Sequence, residues 1–413
     1  MNFKCRNCGS DKLNKILDLG KSPLANDYIV KNKIYTSQKF YDLKVCICKN
    51  CFLIQSVHNI NKKIIFPKNY SYFSSFSKSW LIECEKFAKL IIDKYSLNKN
   101  SLILEIASND GYLLNFFKKK KIKCIGVEPT SSTAKIAKKN GLKIIEDFFS
   151  YKLSKNIKSN YLADVVIANN VLAHVPNILD FVKGVENILK KNGIAVFEFH
   201  YAYNLVKKKQ FDIVYHEHFS YFTFNFIYNL LKKNNLQVFD VDQISSQGGS
   251  LRIYAKKEHS KENLISKNVK KLLEFEKKIS INSVKFYSAL QPYASKIKKN
   301  LLKFIKSAKK NNKIIAAYGA AAKGNTLLNY CKINNKDISY VVDANINKQG
   351  KFLPGSKIPI VSINELKKKR PDYILVLPWN ISSEIVKLLK PFNKRHSSKI
   401  TFFKAVPKIK ILN

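Results

Sequence analysis

Tyr215-His216-Glu217-His218 packs two imidazoles, a carboxylate and a phenol into four consecutive residues. Imidazole has the side-chain pKa nearest neutrality, so the run reads as a general base with supporting groups. His216 and His218 share a face if the segment is extended, which leaves a two-histidine metal site as a second reading. The other chemical cluster is Cys5-x2-Cys8 with Cys48-x2-Cys51. Each pair closes a knuckle with two sulfurs on one side, and two such pairs suit tetrahedral zinc better than a redox pair. The long gap between them costs little, because closure entropy grows only logarithmically with loop length. Cys46 competes with Cys48 as a ligand. No obvious base or fifth ligand accompanies the sulfurs, so the site is expected to be structural rather than catalytic. Five of the eight cysteines lie in the first 51 residues, a distribution unlike a disulfide framework. Asp18 to Pro23 reads as a turn inside this module.

The elements that position these groups follow from the apolar pattern. From Ser101 onward, strand-length runs at 101–108, 124–129, 143–147, 163–170 and 194–200 alternate with helical stretches, which predicts a parallel α/β sheet. The first strand runs into a small-residue turn, Glu105-Ile106-Ala107-Ser108-Asn109-Asp110-Gly111, that lets a ligand approach the backbone at a helix start. The second strand ends in Glu128, where a carboxylate can accept both hydroxyls of a ribose. A nucleoside cofactor is therefore expected. The Tyr215 to His218 run follows the fifth strand, at the carboxyl edge where open α/β sheets carry their reactive groups. His174 and His200 read as structural histidines. Gln247-Gly248-Gly249-Ser250-Leu251-Arg252 reads as a hairpin turn, and Arg252 is free to meet a phosphate, a carboxylate or a structural ion-pair partner.

Residues 259–312 carry apolar side chains at three- and four-residue steps and read as a helical linker. A second strand-turn-helix-strand unit follows. Gly319 and Gly324 bracket a small-residue loop containing Lys323, and Asp343 ends the next strand. Amides at a helix start together with a cation suit a diphosphate, so this unit is read as a second nucleotide-type fold. The expected domains are 1–66 (zinc binding), 67–258 (the central α/β domain), 259–312 (linker) and 313–413 (Rossmann-like).

The charge balance is unusual. Lys+Arg number 74 against 29 Asp+Glu, a formal net charge of +45 over 413 residues. Only Arg6, Arg252, Arg370 and Arg395 are arginines, and the lysines occur in short runs all along the chain. Nucleic-acid readout and phosphate clamping favour arginine for its bidentate fork, so the excess is read as a solvated, lysine-rich surface. The start, MNFKCRNCGS, has no charged segment followed by an apolar run, and no window approaches 18 continuous apolar residues. A cytoplasmic protein is expected.

The ordered motifs CxxC…CxxC, EIASNDGYLL, GVEP, ANNVLAHVPN, YHEHFSYF, GGSLR and YGAAAKGNTLLN resemble the S-adenosylmethionine-dependent C-methyltransferases that act on nucleotide-linked 4-keto-deoxysugars. The likeness spans nearly the whole chain. It implies a class I methyltransferase (Rossmann-like) core with an N-terminal zinc-binding module and a C-terminal Rossmann-like α/β domain. It also implies an antiparallel hairpin at 236–245 and 251–257. S-adenosylmethionine and structural zinc are the implied cofactors. Glu105, Ser108, Asp110 and Gly111 would line the methionine side, Glu128 the ribose, and Asp147, Phe148, Asn169 and Asn170 the adenine. Ala107 stands where the family usually has glycine. His218 would be the base that removes a proton next to the keto group, Glu217 would orient or charge-support its imidazole, and Tyr215 would donate to the developing enolate oxygen.

Tyr70 and Tyr72 become substrate contacts in the same likeness, with an aromatic staple of the first helix as the other reading. Arg252, Gly319, Lys323, Gly324 and Asp343 complete the expected substrate set. The implied partner is a small nucleotide-diphosphate sugar, thymidine diphosphate being the family's usual carrier. No nucleic acid and no membrane are expected, and the chain is read as a monomer. Two competing readings are an RNA methyltransferase, suggested by the charge and the zinc knuckle, and a non-catalytic nucleotide-sugar-binding relative.

Overall fold

The computed structural model of the chain describes residues 3–392 and 399–412; Arg395 lies outside them. The N-terminal module is an antiparallel sheet of Leu13–Ser22 (β1), Tyr41–Cys48 (β2) and Ile54–Ser56 (β3). The turn expected at Asp18 to Pro23 is instead an irregularity within β1. The register shifts between Asp18 and Lys21, Gly20 takes φ +74°, and Asp18 Oδ1 accepts the Gly20 N–H at 2.9 Å. Asp-Gly chemistry that favours turns here makes a bulge, and the strand resumes its pairing.

The central sheet has the order β10-β11-β8-β7-β4-β5-β6. Its parallel strands are Leu102–Ile106 (β4), Lys123–Val127 (β5), Lys143–Ile145 (β6), Ala163–Asn169 (β7) and Leu189–His200 (β8). All five residues of β4 are buried, as a strand covered on both faces requires. After β8 the chain contributes Ser220–Tyr221 (β9), which leaves this sheet and pairs antiparallel with β3. The segment containing Tyr215 to His218 thus runs from the core to the edge of the zinc module. The expected hairpin is present as Leu236–Ile244 (β10) and Ser250–Lys257 (β11), with β11 antiparallel to β8. This is the class I methyltransferase arrangement.

Helices Lys267–Lys278 and Leu290–Lys310 follow. The longer one buries Leu290, Ala294, Ile297, Leu301, Ile305 and Ala308, a stripe at helical spacing. The C-terminal sheet contains Ile315–Tyr318 (β12), Val341–Val342 (β13), Ile360–Val361 (β14), Tyr373–Val376 (β15), Thr401–Lys404 (β16) and Lys410–Leu412 (β17), in the order β14-β13-β12-β15-β16-β17. All its pairings are parallel except β16 with β17. Among the described residues, no helix is long and apolar enough to cross a membrane.

Close packing behind the loop after β4 depends on Gly126. A Cβ there would lie 2.3 Å from Ser108 Oγ and 2.5 Å from Ile144 Cδ1. Overpacking of this kind costs about 1–3 kcal/mol. Gly126→Ala is therefore expected to lower the unfolding free energy by that amount in a urea titration.

Candidate active site

The sulfurs of Cys5, Cys8, Cys48 and Cys51 all lie within 4.8 Å of one another, with Cys5 to Cys51 at 3.5 Å and Cys8 to Cys48 at 3.6 Å. The Asn50 N–H points at Cys48 Sγ from 3.4 Å. Four thiolates on two knuckles fit tetrahedral Zn(II) with no position left for chemistry. Cys46 is outside the group, and burial pushes its thiol up to about 11. Cys46 and Cys48 share a face of β2, but Cys46 pairs across to Gln55 within the sheet, whereas Cys48 ends the strand beside the knuckle.

The loop after β4 has Ala107, Asn109 and Gly111 at φ +58°, +50° and +78°. Around it, Glu105 Oε1 and Oε2, Ser108 Oγ, Asp110 Oδ1 and Asn169 Oδ1 are buried without a hydrogen-bond partner. Glu105 is 1% exposed, and burial raises its carboxyl well above the usual range. Buried polar groups are ordinarily satisfied, so this concentration of acceptors fits a ligand rich in donors, such as the ammonium end of S-adenosylmethionine. Asp110 Oδ2 accepts from the Ser75 N–H at 3.1 Å and the Ser75 hydroxyl at 2.6 Å, while Asn109 Oδ1 accepts the Ser74 N–H at 2.9 Å. The segment following Tyr72 is thereby tied across the loop.

Glu128 departs from its expected use. It accepts the N–H groups of Asn109 and Thr130, each at 2.9 Å, and the Thr130 hydroxyl. Three of a carboxylate's roughly four acceptor positions are occupied, so it cannot grip two ribose hydroxyls in this rotamer. Asp147 is exposed and accepts the Phe148 N–H at 2.7 Å, and Lys62 Nζ lies 4.4 Å from the Phe148 ring centre. Asn170, at φ +54°, directs its Nδ2 toward Glu198 at 3.4 Å.

In the loop before β9, His218 Nδ1 is 2.8 Å from the Ile213 carbonyl oxygen. A carbonyl only accepts, so Nδ1 carries the proton and Nε2 presents its lone pair. The ring is surrounded by Tyr215, His174 and Tyr221 at centroid distances of 4.0, 4.8 and 5.9 Å. Burial, reinforced by His174, holds its pKa well below the ordinary value, so the imidazole is neutral at neutral pH. Glu217 does not orient this ring, contrary to the expectation: Ile213 does. The Glu217 side chain instead accepts from Asn26 Nδ2 at 2.6 Å and the Tyr70 hydroxyl at 2.7 Å, and burial pushes its carboxyl up to about 7.

His216 turns the other way, toward the Asp42 carbonyl and the rings of Tyr41 and His58. The two-histidine metal reading is therefore excluded by direction. His174 Nδ1 is 2.9 Å from the Glu217 carbonyl, and His200 Nε2 is 2.6 Å from Gln210 Oε1. Tyr72 is 42% exposed, beside the bonded Tyr70.

Two expected substrate contacts are committed elsewhere. Arg252 is buried, with Nη2 2.9 Å from Glu198 Oε2 and 3.0 Å from Glu83 Oε1, and its guanidinium carbon lies 4.3 Å from the Phe87 ring centre. Its charge is neutralised inside the fold, which corrects the phosphate assignment. Asp343 accepts the Ala320 N–H at 2.7 Å and the Asn345 N–H at 2.8 Å, so it shapes its own loop. Gly319 takes φ +90°, and Gly324 packs where a Cβ would meet Leu377 at 2.8 Å. Lys323 lies against Trp379, 4.9 Å from the ring centre, and donates to Asn380 Oδ1 at 2.8 Å. Sequence reasoning missed Asn26, Tyr28 and Lys348. None sits in a recognisable chemical motif, and Lys348 is one lysine among many.

Three family models match in succession: a zinc binding domain over residues 5–66, a methyltransferase domain over 82–241, and a C-methyltransferase C-terminal domain over 245–407. The chain is an S-adenosylmethionine-dependent C-methyltransferase. The C-methyltransferase NovU of Streptomyces niveus is 29% identical over 390 residues, which cover 94% of this chain and 92% of the relative. Among solved structures, an S-adenosylmethionine-dependent methyltransferase of Clostridium acetobutylicum covers 43% of this chain and 92% of its own, at 13% identity and a TM-score of 0.35. The PH0226 protein of Pyrococcus horikoshii covers 48% and 100%, at 13% identity and a TM-score of 0.38. The cofactors of this C-methyltransferase are S-adenosylmethionine and zinc.

The thiolate geometry makes a direct prediction. Cys51→Ser should lose zinc and lower the melting temperature, because a structural site contributes folding free energy. Cys46→Ala should retain the wild-type zinc content by elemental analysis.

Proposed function

We propose that this C-methyltransferase acts on a nucleotide-linked 4-keto-deoxysugar, at a carbon next to the keto group, with His218 as the base. The observation that carries the reading is the fixed tautomer of His218, whose free Nε2 faces a site walled by tyrosines and histidines. Methylation of carbon needs a carbanion equivalent, and the hydrogens next to a carbonyl are the acidic ones. The C–H proton passes to Nε2, and the electron pair of that bond moves into the keto group as an enolate. Tyr215 keeps its phenolic proton far above neutral pH, chiefly through burial, and donates to the enolate oxygen. Bound S-adenosylmethionine supplies an electrophilic sulfonium methyl for the nucleophilic carbon. Burial disfavours the imidazolium that results, so His218 is set to release its proton again.

Glu105, Ser108, Asp110 and Asn169 would hold the cofactor through their unpartnered acceptors. The nucleotide would lie on the C-terminal loop from Gly319 to Gly324. There Lys323 uses one donor on Asn380 and keeps others for a diphosphate at the start of helix Ala322–Cys331. A small substrate is supported over RNA by the arginines: Arg6 donates to the His58 carbonyl, Arg370 to the Phe392 carbonyl, and Arg252 is ion-paired. Base readout relies on clustered arginine forks, and the described arginines are spent within the fold.

Incubation with S-adenosylmethionine and thymidine-diphosphate 4-keto-deoxysugars should give products heavier by one methyl group. His218→Ala should reduce turnover by at least about 100-fold while still binding donor and nucleotide sugar. No mass gain with any such sugar, or an unimpaired variant, would refute the assignment.

A further inference from the structure

Asn26 and Tyr28 belong to the N-terminal module, Glu217 to the loop before β9, and Lys348 to the C-terminal domain, yet they form one connected array. Asn26 Nδ2 donates to Glu217 Oε1 at 2.6 Å and lies 3.3 Å from the Tyr70 hydroxyl, which donates to Glu217 Oε2. The amide orientation that makes this possible leaves Asn26 Oδ1 facing the Tyr28 hydroxyl at 3.1 Å. The Tyr28 hydroxyl is also 2.5 Å from the Ala320 carbonyl, so its single proton is placed between two acceptors. Lys348 Nζ donates to that same carbonyl at 2.8 Å and lies 5.2 Å from the Tyr28 ring centre. Asp343 Oδ2 is 3.9 Å from Lys348 Nζ and accepts the Ala320 N–H.

Lys348 is 7% exposed, and Lys256 is the other buried lysine among the described residues. Burial works against the ammonium, but Tyr28 and Asp343 hold its pKa above the ordinary value. A permanent cation has thus been brought into the interior at the end of a hydrogen-bonded path to a catalytic-loop carboxyl. Such a group is expensive to bury unless it is paired, and among the described residues its ion-pair partner is Asp343, at a long 3.9 Å.

We propose that Asn26, Tyr28 and Lys348 are positioning residues that fix the Glu217 carboxyl and keep it ionisable beside the reacting sugar. They do so from the two domains that flank the methyltransferase core. The inference rests on the reading of Glu217 as part of the active site, but the array itself is a property of the folded chain. Three donors and charges favour the carboxylate: the Tyr70 hydroxyl, the Asn26 amide and the Lys348 ammonium, against the burial that opposes it. The other titratable groups bordering Glu217 are Tyr215, whose phenol stays neutral, and His174, which contacts the Glu217 carbonyl and is neutral too. The residues that face Glu217 from all three modules therefore leave Lys348 as the cation of the array. The amide of Asn26 is its link to the N-terminal module, and Tyr28 joins the two by sharing the Ala320 carbonyl with Lys348.

The test follows the protonated-carboxyl infrared band through a pH titration of the full-length, zinc-loaded enzyme, the Glu217 band being the one lost in Glu217→Gln. This readout needs neither substrate nor turnover, so failure of the substrate assignment leaves it intact. Asn26→Leu and Lys348→Met should each move the midpoint upward by about one pH unit or more, since each removes a group that favours the charged form. Tyr28→Phe keeps the ring against Lys348 and should move it less, in the same direction. Lys348→Arg retains the cation and should restore the wild-type midpoint. A midpoint unchanged in both Asn26→Leu and Lys348→Met would overturn the proposal, as would equal shifts in Lys348→Met and Lys348→Arg. In the kinetics, a positioning role predicts that Asn26→Leu lowers kcat and displaces the acid limb of the pH profile. A rise in KM alone with an unmoved acid limb would contradict it.

Discussion

The hydrogen bond from His218 Nδ1–H to the Ile213 carbonyl is the constraint around which the rest of the site is arranged. It assigns the proton to one nitrogen and frees the other, and it needs a loop that cannot drift. The loop is held from two directions. Ser56 Oγ donates to the His218 carbonyl at 2.8 Å, and the Ser56 N–H donates to the Phe219 carbonyl at 3.0 Å, so β3 of the zinc module grips one side. The Phe219 N–H donates to the Ala173 carbonyl at 2.8 Å, which ties the other side to the methyltransferase core. His216, packed on His58 and Tyr41, fills the gap between module and loop. The thiolate cluster therefore contributes to chemistry at a distance: it stabilises the small sheet on which β9 is laid.

The two nucleotide-type folds share a device. In the core, Glu128 at the end of β5 accepts the Asn109 N–H of the loop after β4; in the C-terminal domain, Asp343 just after β13 accepts the Ala320 N–H of the loop after β12. An acid at the end of one strand clamps the turn of its neighbour, holding backbone amides and left-handed residues in place before a ligand arrives. Preorganisation of this kind lowers the ordering cost of binding. It also explains why both acids are less available for ribose than their positions suggest.

Much of this was legible in the sequence because it depends on local pattern. The strands of the core and the helical linker follow from apolar periodicity, the zinc-ligand pairs follow from cysteine spacing with Cys46 competing with Cys48, and the hairpin follows from the family resemblance. The motif order supplied the rest of the architecture. What escaped was pairing across long sequence separations. From sequence, Arg252 stands between a substrate anion and a structural ion pair because nothing local reveals that Glu83 and Glu198 converge on it. Glu217 looked like a partner of its neighbour His218, but the chain turns here, with the His218 N–H donating to the Tyr215 carbonyl at 2.9 Å, and the two side chains go to different partners. Asn26 and Lys348 are ordinary residues in a lysine- and asparagine-rich chain, and only the fold brings them to Glu217. The formal charge of +45 likewise says little about function, since the consequential cations are the few that the fold buries.

The central claim is that His218 takes a proton from the carbon next to the sugar's keto group. Donor-free exchange in deuterated water tests it most directly, with a 4-keto nucleotide sugar monitored by NMR at that C–H. The account predicts that wild-type enzyme washes deuterium into this position and that His218→Ala, still binding the sugar, does not. Exchange at the same rate in both proteins would contradict it.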